Sequence, residues 1–380
     1  MSKPVILIPG LGASILINKK HPYNNYFGKR ILSNRWVNLY PMSSKYMERW
    51  KQDMYMEFKR DSNQKIIGYD LNPEIQPYDV YGIQGIQNLV HEFDQLSEPY
   101  KHMLQNTFHY QYMYDLNTML QSMDYIPKKN LIGMPYDFRS ILDPTIRNQY
   151  FNNLKYIIET KYYHYRKKVV LISHSLGGIL LKWFLTEHVD ERFTDTYMDQ
   201  IIIVNSPFGG TPNAVKACIL GEFYVPFMQS LFASFTGKIS GIIMSLPNPM
   251  CYKPSDIFIH MDDSKPITLD SIYKRSHPSF EAWNDLYRPY LSTLSKPLHI
   301  PTQIILSTDN QTAKSFYIKN KSNSPYKVEY DMNGDGLIPS RSLHYATKLF
   351  HNYTMLHIPK SDHVGILSHP LFLDKVKNCL

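Results

Sequence analysis

The chain predicts an α/β fold, a mostly parallel central sheet with helices on both faces, and three observations carry that prediction. Short apolar and β-branched runs recur along its 380 residues, and several are apolar throughout, as strands buried on both faces must be. Helical stretches alternate with these runs, the order that sets strands side by side and parallel. Two of the runs end in small-residue turns, Pro9-Gly10-Leu11-Gly12 and Ser173-His174-Ser175-Leu176-Gly177-Gly178. A chain of this length can enclose a deep apolar pocket within one domain that carries long insertions. Residues 1–380 are read as one such domain, with a cap insertion at 19–99 and a lid insertion at 211–255.

Val5-Ile6-Leu7-Ile8 is the first buried strand. From 19 to 99 the pattern turns aromatic and irregular, with Tyr23, Tyr26, Phe27, Trp36, Tyr40, Tyr46, Trp50 and Tyr55, and strand signals weaken. A helix is expected over 109–123, leading to Leu131-Ile132-Gly133. Pro135-Tyr136-Asp137-Phe138-Arg139 comes next, then a second helix over 145–162. The apolar run at 169–173 leads into the Ser175 turn, and another at 200–204 closes on Asn205-Ser206-Pro207-Phe208-Gly209-Gly210. The stretch 218–246 carries only Glu222 and Lys238 as charges, with Pro226, Gly237 and Gly241 breaking it into short helical pieces. It reads equally as an apolar lid or lipid-facing surface and as buried core. Strands at 302–306 and 354–358 complete the alternation.

Ser175 is the candidate nucleophile. A strand that turns sharply through a small-residue elbow into a helix holds a serine hydroxyl at the top of a parallel sheet. Ser173 stands where glycine is usual, and Gly177 keeps the other small position. A serine hydroxyl reacts poorly at neutral pH unless a histidine takes its proton and a carboxylate fixes that histidine's tautomer. Among His344, His351, His357, His363 and His369, the choice falls on His363, which follows a predicted strand directly and precedes Gly365. The acid is Asp335 or, second, Asp309 in the turn after 302–306. Asp331-Met-Asn333-Gly-Asp335-Gly336 opens like a calcium loop, but its twelfth position is Ser342, where such a loop needs a bidentate glutamate. No metal or organic cofactor is implied.

A net charge of +8 favours anionic partners. Lys and Arg are scattered, without a basic helix or recognition motif, which favours an anionic membrane surface over nucleic acid. Three cysteines, Cys218, Cys251 and Cys379, do not make a disulfide framework and point to a reducing compartment. Pro9, Gly10 and Gly12 interrupt the apolar N-terminal run too early for a signal peptide, and no transmembrane segment is read. The expected location is intracellular, cytoplasmic or peripheral on a membrane.

Five motifs in order resemble the lecithin:cholesterol acyltransferase family across nearly the whole chain. They are Ile8-Pro-Gly-Leu-Gly-Ala-Ser-Ile-Leu16, Met134-Pro-Tyr-Asp-Phe-Arg139, Ser173-His-Ser-Leu-Gly-Gly178, Gly334-Asp-Gly-Leu-Ile-Pro339 and Asp362-His-Val-Gly-Ile-Leu367. The resemblance implies an α/β-hydrolase fold, with Ser175 as nucleophile, Asp335 as acid, His363 as base, and the backbone N–H groups of Leu11 and Leu176 as oxyanion hole. It implies that 19–99 is a membrane-binding cap, and that Asp137 and Arg139 brace a loop near the site. The implied activity is phospholipase A-type hydrolysis of a phospholipid acyl ester through an acyl-enzyme. The alternatives are transfer to a lipid alcohol, sterol or diacylglycerol, and a non-catalytic lipid-binding role. Secreted and lysosomal members carry a signal peptide and a cap disulfide, and neither is read in this sequence. The lysosomal enzyme has an aspartate at the position of Leu11, and leucine cannot titrate. Activity is therefore expected to rise as His363 loses its proton, with no acidic optimum; a pH–rate profile peaking in the acid range would contradict this.

Overall fold

The computed structural model describes residues 2–20, 52–87, 112–221, 235–262, 264–274, 277–319, 325 and 327–380. Six strands form the central sheet: β1 (Val5–Ile8), β2 (Leu131–Gly133), β3 (Val169–His174), β4 (Met198–Val204), β5 (Thr302–Leu306) and β6 (Tyr353–His357). Their spatial order is β6-β5-β4-β3-β1-β2, and every pairing is parallel. The chain leaves β1 toward one edge and returns to β3 on its other side, so β1 and β3 flank a topological switch point. The carboxyl ends of two such strands border the crevice where open parallel sheets take ligands.

Side chains on a strand point alternately to opposite faces, and here the two faces feed separate cores. Ile6, Ile8, Leu171, Ile201, Ile203, Ile304 and Leu306 join one cluster. Their immediate neighbours Val5, Leu7, Val170, Ile172, Ile202, Val204 and Ile305 join the other. This double burial is why the strands read as unbroken apolar runs rather than as alternating ones. The first core is covered by α2 (Pro144–Tyr165) and α3 (Leu176–Trp183). The second is covered by α1 (Tyr114–Ser122) and the C-terminal α4 (Pro370–Cys379).

Helix α2 begins where its sequence says it should. Asp143 precedes Pro144, and its side chain accepts hydrogen bonds from the N–H groups of Thr145 and Ile146. The other oxygen of Asp143 accepts the N–H of Tyr69 at 2.9 Å, which ties the preceding hairpin to the helix start. That hairpin, Met56–Arg60 against Ile66–Leu71, is antiparallel and lies inside the 19–99 stretch, where strand signals are weak. A further mixed sheet was also not anticipated, in the order Ser264–Thr268, Ile257–Met261, Thr312–Ile318, Lys327–Asp331. Its edge strand Lys327–Asp331 has no buried residue, so no period-two apolar pattern advertised it.

Of the cap read at 19–99, residues 21–51 and 88–99 lie outside the described residues, as do 222–234 of the lid read at 211–255. The described remainder of the lid stretch is core-like. Helix Pro212–Leu220 is capped by Thr211, while Ile239, Ile242, Ile243, Met244 and Leu246 are buried in the first cluster. Among the described residues no helix is long and apolar enough to cross a membrane. Cys218, Cys251 and Cys379 are all free thiols.

Lys182, on α3, is buried, and its Nζ donates to the carbonyls of Lys296 and Leu349 while standing 5.3 Å over the Phe350 ring. Burial pushes its ammonium down from 10.5 to about 7. The unfolded chain therefore holds the extra proton across that interval, so the residue's contribution to stability improves as pH rises through it and is least favourable below it. The Tm of Lys182→Met minus that of the wild type is expected to be greatest near about pH 6 and to shrink toward about pH 10. A difference that stays constant over that range would mean that folding does not perturb Lys182.

Candidate active site

The carboxyl end of β3 turns into α3 through Ser175, whose backbone sits at φ 54°, ψ −127°. Holding a non-glycine residue there costs about 1–3 kcal/mol and persists only where the surroundings over-determine it. Two close approaches do so. A Cβ on Gly177 would stand 2.6 Å from the carbonyl oxygens of Ile8 and Pro9, and one on Gly10 would stand 2.9 Å from Ser175 Cβ. Only glycine lets the end of β1 and the start of α3 pack this tightly. Ser173, at the other small position, is fully buried.

Ser175, His363 and Asp335 lie in one buried hydrogen-bonded line. Ser175 Oγ is 2.9 Å from His363 Nε2, and His363 Nδ1 is 2.6 Å from Asp335 Oδ2. A carboxylate oxygen only accepts, so Nδ1 carries the hydrogen and Nε2 presents its lone pair to the serine hydroxyl. The second oxygen of Asp335 accepts the N–H groups of Leu337 at 2.9 Å and Ile338 at 2.7 Å. Both oxygens of the fully buried Asp335 are thus engaged, one by His363 and the other by the backbone of its own turn. Among the described residues no group of three or more His, Cys, Asp and Glu side chains is placed to share a metal ion.

The loop that carries His363 hangs from the ends of β4 and β5. Ser307 Oγ and Asn310 Nδ2 donate to the Ser361 carbonyl at 2.5 and 2.6 Å, while Asn205 Oδ1 accepts the Ser307 N–H at 3.1 Å. The other acid candidate, Asp309, faces elsewhere: one oxygen is 3.3 Å from His357 Nε2 and the other accepts the Lys360 N–H. The remaining histidine candidates have local duties. His344 Nδ1 is 3.0 Å from Ser340 Oγ, His351 packs edgewise on His299, and His369 caps α4 through the Leu371 N–H.

Leu176 is the first residue of α3, where a backbone N–H has no carbonyl one turn behind it. Leu11 lies in the turn after β1. The short helix Ser240–Met244 lies against both leucines: a Cβ on Gly241 would be 2.5 Å from Leu11 Cδ1 and 2.7 Å from Leu176 Cδ2. That helix is held from beneath by the Pro135–Arg139 segment, through Ser240 N–H to the Arg139 carbonyl at 2.8 Å and Gly241 N–H to the Phe138 carbonyl at 3.1 Å. Tyr136 grips the β1 turn from the same side, its N–H donating to Ser14 Oγ and its hydroxyl to the Pro9 carbonyl, each at 3.0 Å. Arg139 pairs with Asp137 through two hydrogen bonds of 2.9 and 2.6 Å and donates to the Asp53 carbonyl at 3.0 Å. Breaking such a buried pair from one side costs about 3–5 kcal/mol.

Sequence reasoning quoted His174 without a role and passed over Tyr112, yet both meet the site directly. His174 Nε2 is 2.7 Å from the His363 carbonyl, and His174 Nδ1 is 2.6 Å from the Tyr112 hydroxyl. No spacing rule links a tyrosine before α1 to the elbow. The signal that existed was a histidine immediately before the serine in an otherwise apolar strand.

A parallel sheet with a strained serine elbow at its switch point, and a histidine loop folding back over it, defines an α/β-hydrolase. Among solved structures, the crystal structure of the Tle4–Tli4 complex holds a chain of like fold, with a TM-score of 0.54 and 12% identity over 99% of this chain and 98% of that one. Residues 31–288 match the model of the family described as lecithin:cholesterol acyltransferase, and the chain belongs to that family. The lysosomal phospholipase A and acyltransferase of Canis lupus familiaris is 24% identical over 99% of this chain and 91% of its own length. The phosphatidylcholine-sterol acyltransferase of Gallus gallus is 28% identical over 30% of this chain and 28% of its own. The protein is an enzyme of the serine hydrolase and acyltransferase type.

The two acid candidates separate cleanly by substitution. Asp335→Asn is expected to lower kcat by about three to four orders of magnitude and Asp309→Asn by less than about threefold, measured on the same ester. The reverse ranking would move the acid to Asp309.

Proposed function

We propose that the protein is a phospholipase of the A type, cleaving an acyl ester of a phospholipid through an acyl-enzyme on Ser175. The observation that carries this reading is the Ser175–His363–Asp335 line, at 2.9 and 2.6 Å, in a chain whose relatives are named phospholipase A and acyltransferase. Ser175 Oγ attacks the ester carbonyl as His363 Nε2 takes the hydroxyl proton, and Asp335 holds the imidazolium that results. The oxyanion of the tetrahedral intermediate accepts the N–H groups of Leu11 and Leu176, each worth about 3–4 kcal/mol in comparable sites. Collapse breaks the ester C–O bond, and His363 returns its proton to the departing lysophospholipid oxygen. Water then attacks the acyl-enzyme by the same path in reverse and releases a fatty acid.

Acyl transfer is the second reading, favoured by one observation: Ser175 and His363 are only 7% and 8% exposed, so a dry site can admit a lipid alcohol in place of water. Helix Ser240–Met244, within the 211–255 stretch read as a lid, lies against Leu11 and Leu176 and supplies apolar cover on that side of the site. The chain's net charge of +8 supports peripheral docking on anionic membranes.

Product analysis tests both readings. Wild type and Ser175→Ala are incubated with anionic phospholipid vesicles containing diacylglycerol or a long-chain alcohol. Free fatty acid and lysophospholipid made only by the wild type are the expected result. An acylated alcohol in their place would make the protein an acyltransferase, and equal product from Ser175→Ala would exclude the serine mechanism.

A further inference from the structure

One buried hydrogen-bonded chain runs behind Ser175 from the turn after β1 to the loop of the base. Gly10 N–H donates to the Tyr112 hydroxyl at 2.8 Å. The Tyr112 hydroxyl lies 2.6 Å from His174 Nδ1, and His174 Nε2 lies 2.7 Å from the His363 carbonyl. All of these side chains are buried, Tyr112 to 2% and His174 to 1% exposure. The rings are in contact as well, with centroids 5.3 Å apart for Tyr112 and His174 and 4.9 Å apart for His174 and His363.

The chain admits a single assignment of hydrogens. A carbonyl only accepts, so His174 Nε2 must carry the hydrogen. Burial, with His363 alongside, holds His174 well below the usual imidazole range and therefore neutral, which leaves a lone pair on Nδ1. Burial pushes the Tyr112 phenol far up, so its proton stays on and is donated to that lone pair. Its oxygen is then free to accept the Gly10 N–H. Every donor has an acceptor, and none can be reversed without orphaning a buried group.

The ends of this chain are the two parts of the site that must be placed against Ser175. Gly10 precedes Leu11, whose N–H is a proposed oxyanion donor. A Cβ at position 10 would stand 3.2 Å from the Tyr112 hydroxyl and 3.3 Å from His174 Nδ1, so the turn rests directly on both residues. At the other end, the His363 carbonyl fixes the backbone that aims the imidazole. We infer that Tyr112 and His174 are positioning residues that lock the oxyanion turn and the base loop to each other across the nucleophile elbow. The inference rests on the reading of Ser175, His363 and Leu11 given under the proposed function. Neither residue touches substrate. Each acts through the geometry of others, where errors of a fraction of an ångström are felt in the rate.

Four variants separate the two ends. Tyr112→Phe removes one oxygen and strands the Gly10 N–H. In His174→Asn the amide oxygen stands near the place of Nδ1 and keeps the acceptor for Tyr112, but the link to the His363 carbonyl is lost. In His174→Gln the amide nitrogen reaches toward the place of Nε2 and keeps that link, but the acceptor is lost. His174→Phe loses both. Active sites are titrated to completion with a fluorophosphonate that labels Ser175. Then kcat and KM on anionic phospholipid vesicles are expressed per titrated site, beside the Tm of each variant.

The expected result is a loss in kcat per site of at least about tenfold for Tyr112→Phe and about a hundredfold for His174→Phe, with KM within about twofold. His174→Asn and His174→Gln should each fall between His174→Phe and the wild type. Tyr112→Phe should add little once His174→Phe is present, because the chain is already cut. Wild-type kcat per titrated site in both phenylalanine variants, with only Tm or the titratable fraction reduced, would overturn the inference and leave the pair as ordinary core. Should His174→Phe fail to fold, Tyr112→Phe and the two amide variants decide the matter by the same measure. Ser175→Ala is run alongside: loss of turnover and labelling leaves the triad reading standing whichever way the variants fall. Retained turnover would remove that reading, and this inference with it.

Discussion

The constraint on which the rest of the molecule depends is the closeness of two backbones. The end of β1 and the start of α3 approach so nearly that a single carbon on Gly177 would meet two carbonyl oxygens at 2.6 Å. That approach holds Ser175 at positive φ, turns its hydroxyl out of the sheet, and brings the turn holding Leu11 beside the first N–H of α3. A strained residue needs over-determination, and the surrounding structure supplies it from several directions at once. The parallel sheet fixes β1 and β3 side by side, and the switch in strand order leaves a crevice at their carboxyl ends.

Around that crevice, neighbouring segments serve as braces. The Pro135–Arg139 segment holds the β1 turn through Tyr136 and carries the helix Ser240–Met244 on its carbonyls, so that helix lies against Leu11 and Leu176. Its own shape is set by the buried Arg139–Asp137 pair, a fork-on-fork contact that satisfies both oxygens of the carboxylate. The base loop is held by Ser307, Asn310 and Asn205 at the ends of the adjacent strands. The Tyr112–His174 chain joins the two sides. The chemistry is thus presented by loops, but each loop is tied to a strand end or to a buried polar group.

The strands Val5–Ile8, Val169–His174, Met198–Val204 and Thr302–Leu306 and the elbow were legible in the sequence because burial on both faces admits little but aliphatic residues, while the edge strand Tyr353–His357, read from its apolar run, is largely exposed. The helix over 145–162 was legible for a related reason: Asp143-Pro144 is a start signal, and Tyr150, Phe151, Leu154, Ile157 and Ile158 recur on one face. The second sheet was not, because its strands are partly exposed and the pairing that joins its two halves, Thr312–Ile318 with Ile257–Met261, links segments distant in sequence. The hairpin Met56–Arg60 with Ile66–Leu71 was hidden in the same way, docked by polar contacts to Asp143, Glu281 and Asp285 rather than announced by its own pattern.

The sequence by itself determined the class of fold and singled out Ser175 and His363, because each rests on a local pattern: an apolar strand, a small-residue turn, a loop histidine behind a strand. Two acids remained open on local evidence, since Asp335 and Asp309 both sit in turns near the ends of strands. Only the tertiary structure decided which carboxylate reaches His363, because that choice depends on where a pair of loops 28 residues apart meet in space. The roles of Tyr112 and His174 were decided there too. A hydrogen-bonded chain whose links join residues 102, 62 and 189 positions apart has no signature along the sequence, and exists only once the sheet has brought its members together.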